Sequence, residues 1–317
     1  MPSANQMPNI IRLLCVLLAS QVSAVAQTPW PARPIQLVVP FAAGSAPDVI
    51  GRLLAENFST SLKTPVIVEN VPGAGGTIGV DRVVRAAADG YTLVLSGDAA
   101  IVLGTTYGLK PPYDAIRDLA PVFQVVVTPN ILVVNKDLPV KSLEELVALA
   151  RSQPGKFSYA SVGNGTSSHR GGEMLNALAG LDMVHVPYTG SPLPDVMAGR
   201  VQLFFANAAA LPLIREGKLK ALAVSSLQRL PAAPDLPTVA ESGYPGFAAV
   251  AWFGLLAPKG VSPAIIARLE EETRAALAQP AVKQRLVEMG AVAQGSSASS
   301  FSKLIEAQSM KPSDSAR

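Results

Sequence analysis

The chain has 317 residues, 49% apolar and 15% charged, with a formal net charge of +3 and one cysteine. That composition supports a packed core and excludes a disordered chain. Lys and Arg are scattered without a run of five, which excludes the clustered phosphate neutralisation of a nucleic-acid binder. At about 150 residues per domain, the length predicts two domains.

At the N-terminus, Arg12 precedes the short apolar core 13-LLCVLLAS-20, and 24-AVA-26 stands before Gln27. One cationic residue, an apolar stretch of about eight and an A-x-A site predict a secretory signal peptide over residues 1–26, cleaved after Ala26. The run is shorter than the roughly 20 residues that span a bilayer. Cys15 falls inside it, so the mature chain is expected to hold no disulfide, thiolate nucleophile or Cys-based metal site.

Beyond Gln27, strand and helix patterns alternate. Ile35–Val39 reads as a strand, and Val49, Ile50, Leu53, Leu54 and Phe58 mark one face of a helix. Val66–Glu69 is a second strand, 71-VPGAGG-76 a turn, and Ile78, Val80, Val83 and Val84 the next helix. The segment 91-YTLVLS-96 is a third strand, and this alternation predicts parallel pairing with crossover helices. Residues 121–139 then read as long extended sequence. Alternation restarts with a helix at Leu143–Arg151, strand 157-FSYASV-162 and a helix through Met174 and Leu178. Strand 183-MVHVPY-188, a short helix near Leu193–Ala198 and strands 201-VQLFFA-206 and 221-ALAVSS-226 follow. A second extended stretch, 250–260, precedes helices at Pro263–Ala278 and Ala281–Met289, which return to the first module. The tail from Gln308 reads as polar and disordered. Two α/β modules joined by two extended segments make a hinge arrangement.

Two strand-to-helix turns are built alike: 38-VVPFAAGSAPDVIGRLL-54 and 158-SYASVGNGTSSHRGGEM-174. In the first, Ser45 and Asp48 fit a capping box with Pro47 in the first helical turn; in the second, Thr166, Ser167 or Ser168 can cap. Open α/β sheets bind ligands beyond the carboxyl ends of their strands, and a helix start favours an anion. No Lys or Arg lies between Pro40 and Gly51. A micromolar ligand needs about −8 kcal/mol. Each helix end supplies about 0.3–1 kcal/mol, and each hydrogen bond to a charged group about 1.5–3. Four or five donors with two helix ends reach that total, which predicts a small carboxylate held by backbone and hydroxyl groups.

Taken together, 34-PIQLVVPFAAGSAPDVIGRLLAENF-58, 66-VIVENVPGAGGTIG-79, 87-AADGYTL-93, 159-YASVGNGTSSH-169, 185-HVPYTGS-191, 217-GKLKALAVSS-226 and 237-PTVAESGYPGF-247 resemble the Bug-type extracytoplasmic receptors of the tripartite tricarboxylate transporter family. The resemblance covers nearly all of the mature chain. It implies a type II periplasmic binding protein fold: α/β, two lobes, a two-segment hinge and a ligand cleft between them. Residues 27–126 and 248–317 form the first lobe under this reading, and 127–247 the second. The implied function is periplasmic capture of a di- or tricarboxylate, or a related organic acid, for the family's membrane permease components. The implied protein is a monomer without enzymatic activity, cofactor or metal. Carried over, the site comprises Phe41, Ala43, Gly44, Ser45 and Asp48 from the first turn, and Gly163, Gly165, Thr166, Ser167 and His169 from the second. Tyr188 and Asn207 complete it. The chain departs from the family pattern at Ser45, Pro47, Arg170, where an apolar residue is usual, and Ala206, where an Asp is common. The alternatives are a ligand-sensing receptor for a signalling partner and an exported hydrolase using Ser45 or Ser167.

Other residues point less sharply. His169 at a helix start is expected to be neutral, and both ligand contact and turn-fixing suit it. His185 in an apolar strand reads as structural, and two histidines 16 apart do not make a metal site. The 73-GAGGTIG-79 spacing is G-x-G-x-x-x-G, one residue longer than a dinucleotide fingerprint. Trp252 and Phe253 fit a hinge-side core pair or a ligand contact equally. Neither a G-x-S-x-G elbow nor an H-E-x-x-H motif is present.

Overall fold

The computed structural model describes residues 30–103 and 110–309. The expected signal peptide and cleavage site, Cys15 and the tail beyond Ser309 lie outside the described residues. The chain divides into an N-terminal unit, Met1–Ala32, and a main unit, Arg33–Arg317, to which the fold belongs.

In chain order the strands are β1 (Ile35–Val39), β2 (Val66–Asn70), β3 (Thr92–Gly97), β4 (Leu119–Thr128), β5 (Ile131–Asn135), β6 (Ser158–Ser161), β7 (Val184–Pro187), β8 (Leu203–Ala206), β9 (Leu219–Val224), β10 (Ala251–Pro258) and β11 (Val292–Ala293). The α-helices are α1 (Ala46–Ser61), α2 (Thr77–Val84), α3 (Ala115–Asp118), α4 (Leu143–Arg151), α5 (Ser167–Ala179), α6 (Leu193–Met197), α7 (Leu211–Arg215), α8 (Pro263–Ala278), α9 (Pro280–Glu288) and α10 (Ala298–Ser309).

The strands form two sheets, ordered β11-β4-β10-β3-β1-β2 and β7-β6-β8-β5-β9. The first takes strands from both ends of the unit and the second only from its middle, so the fold is a two-lobe α/β fold. Pairing is parallel among β1, β2 and β3 and among β6, β7 and β8. The expectation of simple parallel sheets needs correction: β10 runs antiparallel between β3 and β4, β11 runs antiparallel to β4, and β5 runs antiparallel between β8 and β9. The extended stretches read around 121–139 and 250–260 supply β4, β5 and β10. Two residues, Pro129 and Asn130, carry the chain from one sheet to the other, so the first stretch is two strands in different lobes.

Burial follows the side-chain period of each element. In β5, Ile131 and Val133 join one apolar cluster and Leu132 and Val134 the other, as alternation in a strand covered on both faces requires. In α1, Ile50, Leu54 and Phe58 face the core at helical spacing. In the first lobe, Trp252 and Phe301 pack edge to face with ring centroids 5.1 Å apart beside Val94 and Leu256. Trp252 is thus a core residue, and its indole N–H donates to Gln308 Oε1 at 2.9 Å. Helix α10 holds that glutamine, so Gln308 and Ser309, expected in a disordered tail, are helical instead, on a helix anchored by the buried Phe301 and Ile305. Helix α8 packs on α1, which returns the C-terminal helices to the first lobe.

Candidate functional site: two helix starts at the lobe junction

Both sheets end their parallel strands at the side where the chain crosses between lobes. Ile131 pairs with Ala206 at the end of β8 and with Val224 at the end of β9, while Ala251 pairs with Thr128 at the end of β4. The two crossings are laced together by buried polar groups. Asn130 Nδ2 donates to the Ala249 carbonyl at 3.2 Å, Ser225 Oγ donates to the same carbonyl at 2.8 Å, and the Asn130 N–H donates to Ser225 Oγ at 2.8 Å. Buried groups satisfied in this way hold the crossover segments in one register.

The first turn follows β1. Phe41 is half-buried, Ala42, Ala43 and Gly44 are exposed, and Gly44 takes φ +80°. Ser45 is the N-cap of α1 by backbone, yet its hydroxyl donates to the Ala42 carbonyl at 2.6 Å and caps no helical N–H. The predicted capping box is therefore replaced by a tighter arrangement. The Asp48 carboxylate, 2% exposed, accepts the Gly44 N–H at 2.8 Å, Arg52 Nε at 3.0 Å and Asn70 Nδ2 at 2.9 Å. Burial would raise the Asp48 pKa, but the bonds from Arg52, Gly44 and Asn70 outweigh it and hold the carboxyl below its ordinary value. Asp48 is consumed in shaping the turn, and Arg52 offsets its charge.

The second turn follows β6. Gly163 and Gly165 take φ +121° and +77°. Thr166 is the N-cap of α5, its Oγ1 donating to the Gly163 carbonyl at 2.7 Å and accepting the His169 N–H at 3.4 Å. The Gly163 N–H donates to Ser161 Oγ at 3.1 Å, and the Gly165 N–H to His169 Nδ1 at 3.1 Å. His169 thus fixes the turn: Nδ1 is an acceptor, which leaves the proton on Nε2, 3.3 Å from Glu173 Oε1. Its pKa is lowered by burial and then by the neighbouring Arg170 charge. Gly172 lets α5 lie on β6, since a Cβ there would meet the Tyr159 ring at 2.1 Å.

With the Gly44, Gly163 and Gly165 amides engaged inside their own turns, the helix starts still offer donors among the described residues. The first N–H groups of a helix have no partner within it: Ala46 and Asp48 in α1, Pro47 having none, and Ser167 and Ser168 in α5. The Ser167 hydroxyl has no hydrogen-bond partner among the described residues. Asn207 follows β8 and caps a 3₁₀ turn, Oδ1 accepting the Ala209 N–H at 3.1 Å, with its Nδ2 donors left over. Tyr188 follows β7, but its hydroxyl donates to Asp195 Oδ2 at 2.7 Å, so it holds that loop.

A chain of contacts joins the two turns. Phe41 packs edge to face on Phe253, ring centroids 5.6 Å apart, and Phe253 lies opposite Gly97 in the pairing of β10 with β3. Asp98, next in the chain, is 2.8 Å from Arg170 Nη2, and Arg170 Nη1 donates to the Gly165 carbonyl at 3.0 Å. Asp98 and Arg170 were not among the expected site residues. The only hint in the sequence was a charged residue at position 170, where an apolar one is usual. Concavities of about 550 and 820 Å³ flank β9 around Ala221, Leu222 and Leu236 and share no residue with either turn.

The model of the tripartite tricarboxylate transporter family receptor matches residues 50–314. Protein BugT of Bordetella pertussis is 39% identical over 292 residues, covering 89% of this chain and 90% of that protein. Among solved structures, the periplasmic binding protein BugD is 35% identical with a TM-score of 0.70, covering 88% of this chain and 95% of its own. MatC from Rhodopseudomonas palustris, solved with bound malate, is 32% identical with a TM-score of 0.71, covering 88% and 97%. The two-lobe fold is that of periplasmic binding proteins, and the chain belongs to the tripartite tricarboxylate transporter family of receptors.

Proposed function

We propose that this chain is a periplasmic solute receptor that closes its lobes on a small organic carboxylate and hands it to the membrane permease of a tripartite tricarboxylate transporter. The carrying observation is the placement of two helix starts, those of α1 and α5, at the carboxyl ends of parallel strands in the two lobes, linked through Phe253, Asp98 and Arg170. The N–H groups of Ala46, Asp48, Ser167 and Ser168, the Ser167 hydroxyl and Asn207 Nδ2 are the donors for the acid. Phe41, Ala43, Gly44 and Ser45 shape one wall, and Gly163, Gly165 and Thr166 the other; Asp48 and His169 hold those walls from beneath, and Tyr188 holds the loop after β7. Malate in MatC supports a carboxylate ligand.

Capture of this kind is reversible and needs no nucleophile, so the protein is a receptor and not an enzyme. Its leader, residues 1–26, directs it to the periplasm and is removed after Ala26. Lobe closure shifts an open–closed equilibrium, and the bound state is what a permease reads. Mass spectrometry of small molecules released from freshly purified, denatured protein tests the reading, with calorimetry against malate, citrate and adipate. The expected result is an organic acid recovered unchanged, with affinity weakened about tenfold by Ser167→Ala, the loss of one hydrogen bond to a charged group. Recovery of a chemically altered product, or of a ligand with no acid group, would count against it.

A further inference from the structure

Arg170 is the fourth residue of α5, and its side chain is 21% exposed. Its guanidinium donates to three acceptors on three different parts of the chain. Nη2 reaches the Asp98 carboxylate at 2.8 Å in the first lobe and the Val250 carbonyl at 2.8 Å in the returning crossover; Nη1 reaches the Gly165 carbonyl at 3.0 Å in the second turn. We infer that Arg170 is a positioning residue for solute capture: it braces the lobes at their resting angle and holds the second turn in its ligand-ready shape.

A guanidinium is planar and always charged, and its donors are set in a rigid fork. Three acceptors met at once admit one relative placement of the segments that carry them. Closure of a two-lobe receptor turns one lobe against the other about the crossover segments, and Arg170 touches both lobes and one crossover. Asp98 is 5% exposed, and an ionised carboxylate so buried is costly to leave without its partner. Any motion that draws Asp98 from Arg170 is opposed by that cost. Burial raises the Asp98 pKa and the Arg170 charge offsets part of the rise, in keeping with a pair whose members depend on each other. The second effect is local. Arg170 holds the carbonyl of Gly165 while its neighbour His169 holds the N–H of the same residue, so two successive residues fix one glycine from both sides.

This inference rests on the solute-receptor reading, and the experiment separates the two. Spin labels are placed at Glu56→Cys on α1 and Ala177→Cys on α5, both exposed, in the chain from Gln27 onward, which has no cysteine of its own. Pulsed dipolar spectroscopy then gives the inter-lobe distance distribution of the ligand-free protein. Arg170→Met alone leaves Asp98 buried without a partner and risks misfolding; Asp98→Asn/Arg170→Met removes both charges and keeps the side-chain sizes. The double variant is expected to show a shifted or broadened ligand-free distribution, which reads the brace, while the loosened second turn speeds malate release by about fivefold or more, the scale of a modest coupling between sites. Arg170→Lys, which keeps the charge but loses the fork, is expected to fall between the double variant and the wild type. Superimposable wild-type and double-variant distributions would overturn the inference. Failure of the unaltered protein to bind malate, citrate or adipate would weigh against the solute reading while the distance measurement still decides the brace.

Discussion

His169 and His185 stack with ring centroids 3.9 Å apart and planes 22° from parallel, and Tyr159 lies beside both, 5.0 Å from His185 and 6.3 Å from His169. Such a stack holds at most one proton at little cost, because like charges that close repel. Burial, followed by the His169 charge, pushes the His185 pKa from its ordinary 6.5 down to about 4, with Glu173 pulling slightly the other way. Between those two values the unfolded chain binds a proton that the fold refuses. Stability from this pair is fully present above pH 6.5 and is lost as pH falls through the window to about 4. His185→Phe keeps the stacking ring and deletes the proton site. Thermal melts of the two proteins from pH 7.5 to 4 should show a shallower decline for the variant across that window.

Asp48 bears on the first turn as His169 bears on the second. Asp48→Ala strips the Gly44 N–H and Asn70 Nδ2 of their buried acceptor, and each bond to a charged group is worth about 1.5–3 kcal/mol. The expected loss is about 2–3 kcal/mol in urea unfolding, with malate affinity falling as well because the α1 start is no longer held. Asp48→Asn keeps an acceptor and should recover part of both.

Gly44 separates backbone strain from crowding. A Cβ built there meets nothing within 4 Å, while φ is +80°. Substitution is therefore opposed by conformation and not by contact. Asn, which tolerates the left-handed region, should cost least, Ala more, and a β-branched Val most, with strain on the order of 1–3 kcal/mol. The order of melting temperatures checks this; equal losses for Asn and Val would point to a hidden steric contact.

Gly290, just before β11, abuts the second lobe, where a Cβ would come 2.2 Å from Ala208 Cβ. Gly290→Ala is expected to destabilise the protein by about 1–3 kcal/mol through overpacking and to push the lobes apart on that side. Gly290 also has φ +66°. Adding Ala208→Gly should restore the packing part and leave the backbone part, a division that a double-mutant cycle on unfolding free energies measures directly.

How far these features were legible depends on the distance over which they act. Helix α1 shows in the spacing of Ile50, Leu54 and Phe58, and the two turns show in their glycines, because both signals lie within one turn of chain. The capping arrangement did not: Ser45 and Asp48 have the spacing of a box, but a free Ala42 carbonyl and the Gly44 N–H compete for their side chains. Helix α10 escaped notice because its Ser-rich sequence offers only Phe301, Leu304 and Ile305 to the core. The Asp98–Arg170 pair joins residues 72 apart across two lobes, and no local pattern encodes a partner at that separation. Which amides remain open to a ligand was equally hidden, since Asp48, Ser161 and His169 had first to be seen taking the glycine N–H groups.

The placement of β10 also orders events in time. Every strand of the second sheet lies between residues 131 and 224, whereas β10, which parts β3 from β4 in the first sheet, begins only at Ala251. As a chain is made from its N-terminus, the edges of β3 and β4 that β10 joins stay unjoined until the whole middle segment has followed. The later lobe in sequence is thus the earlier one to be completed, and the first half of the protein closes around a neighbour that is already built.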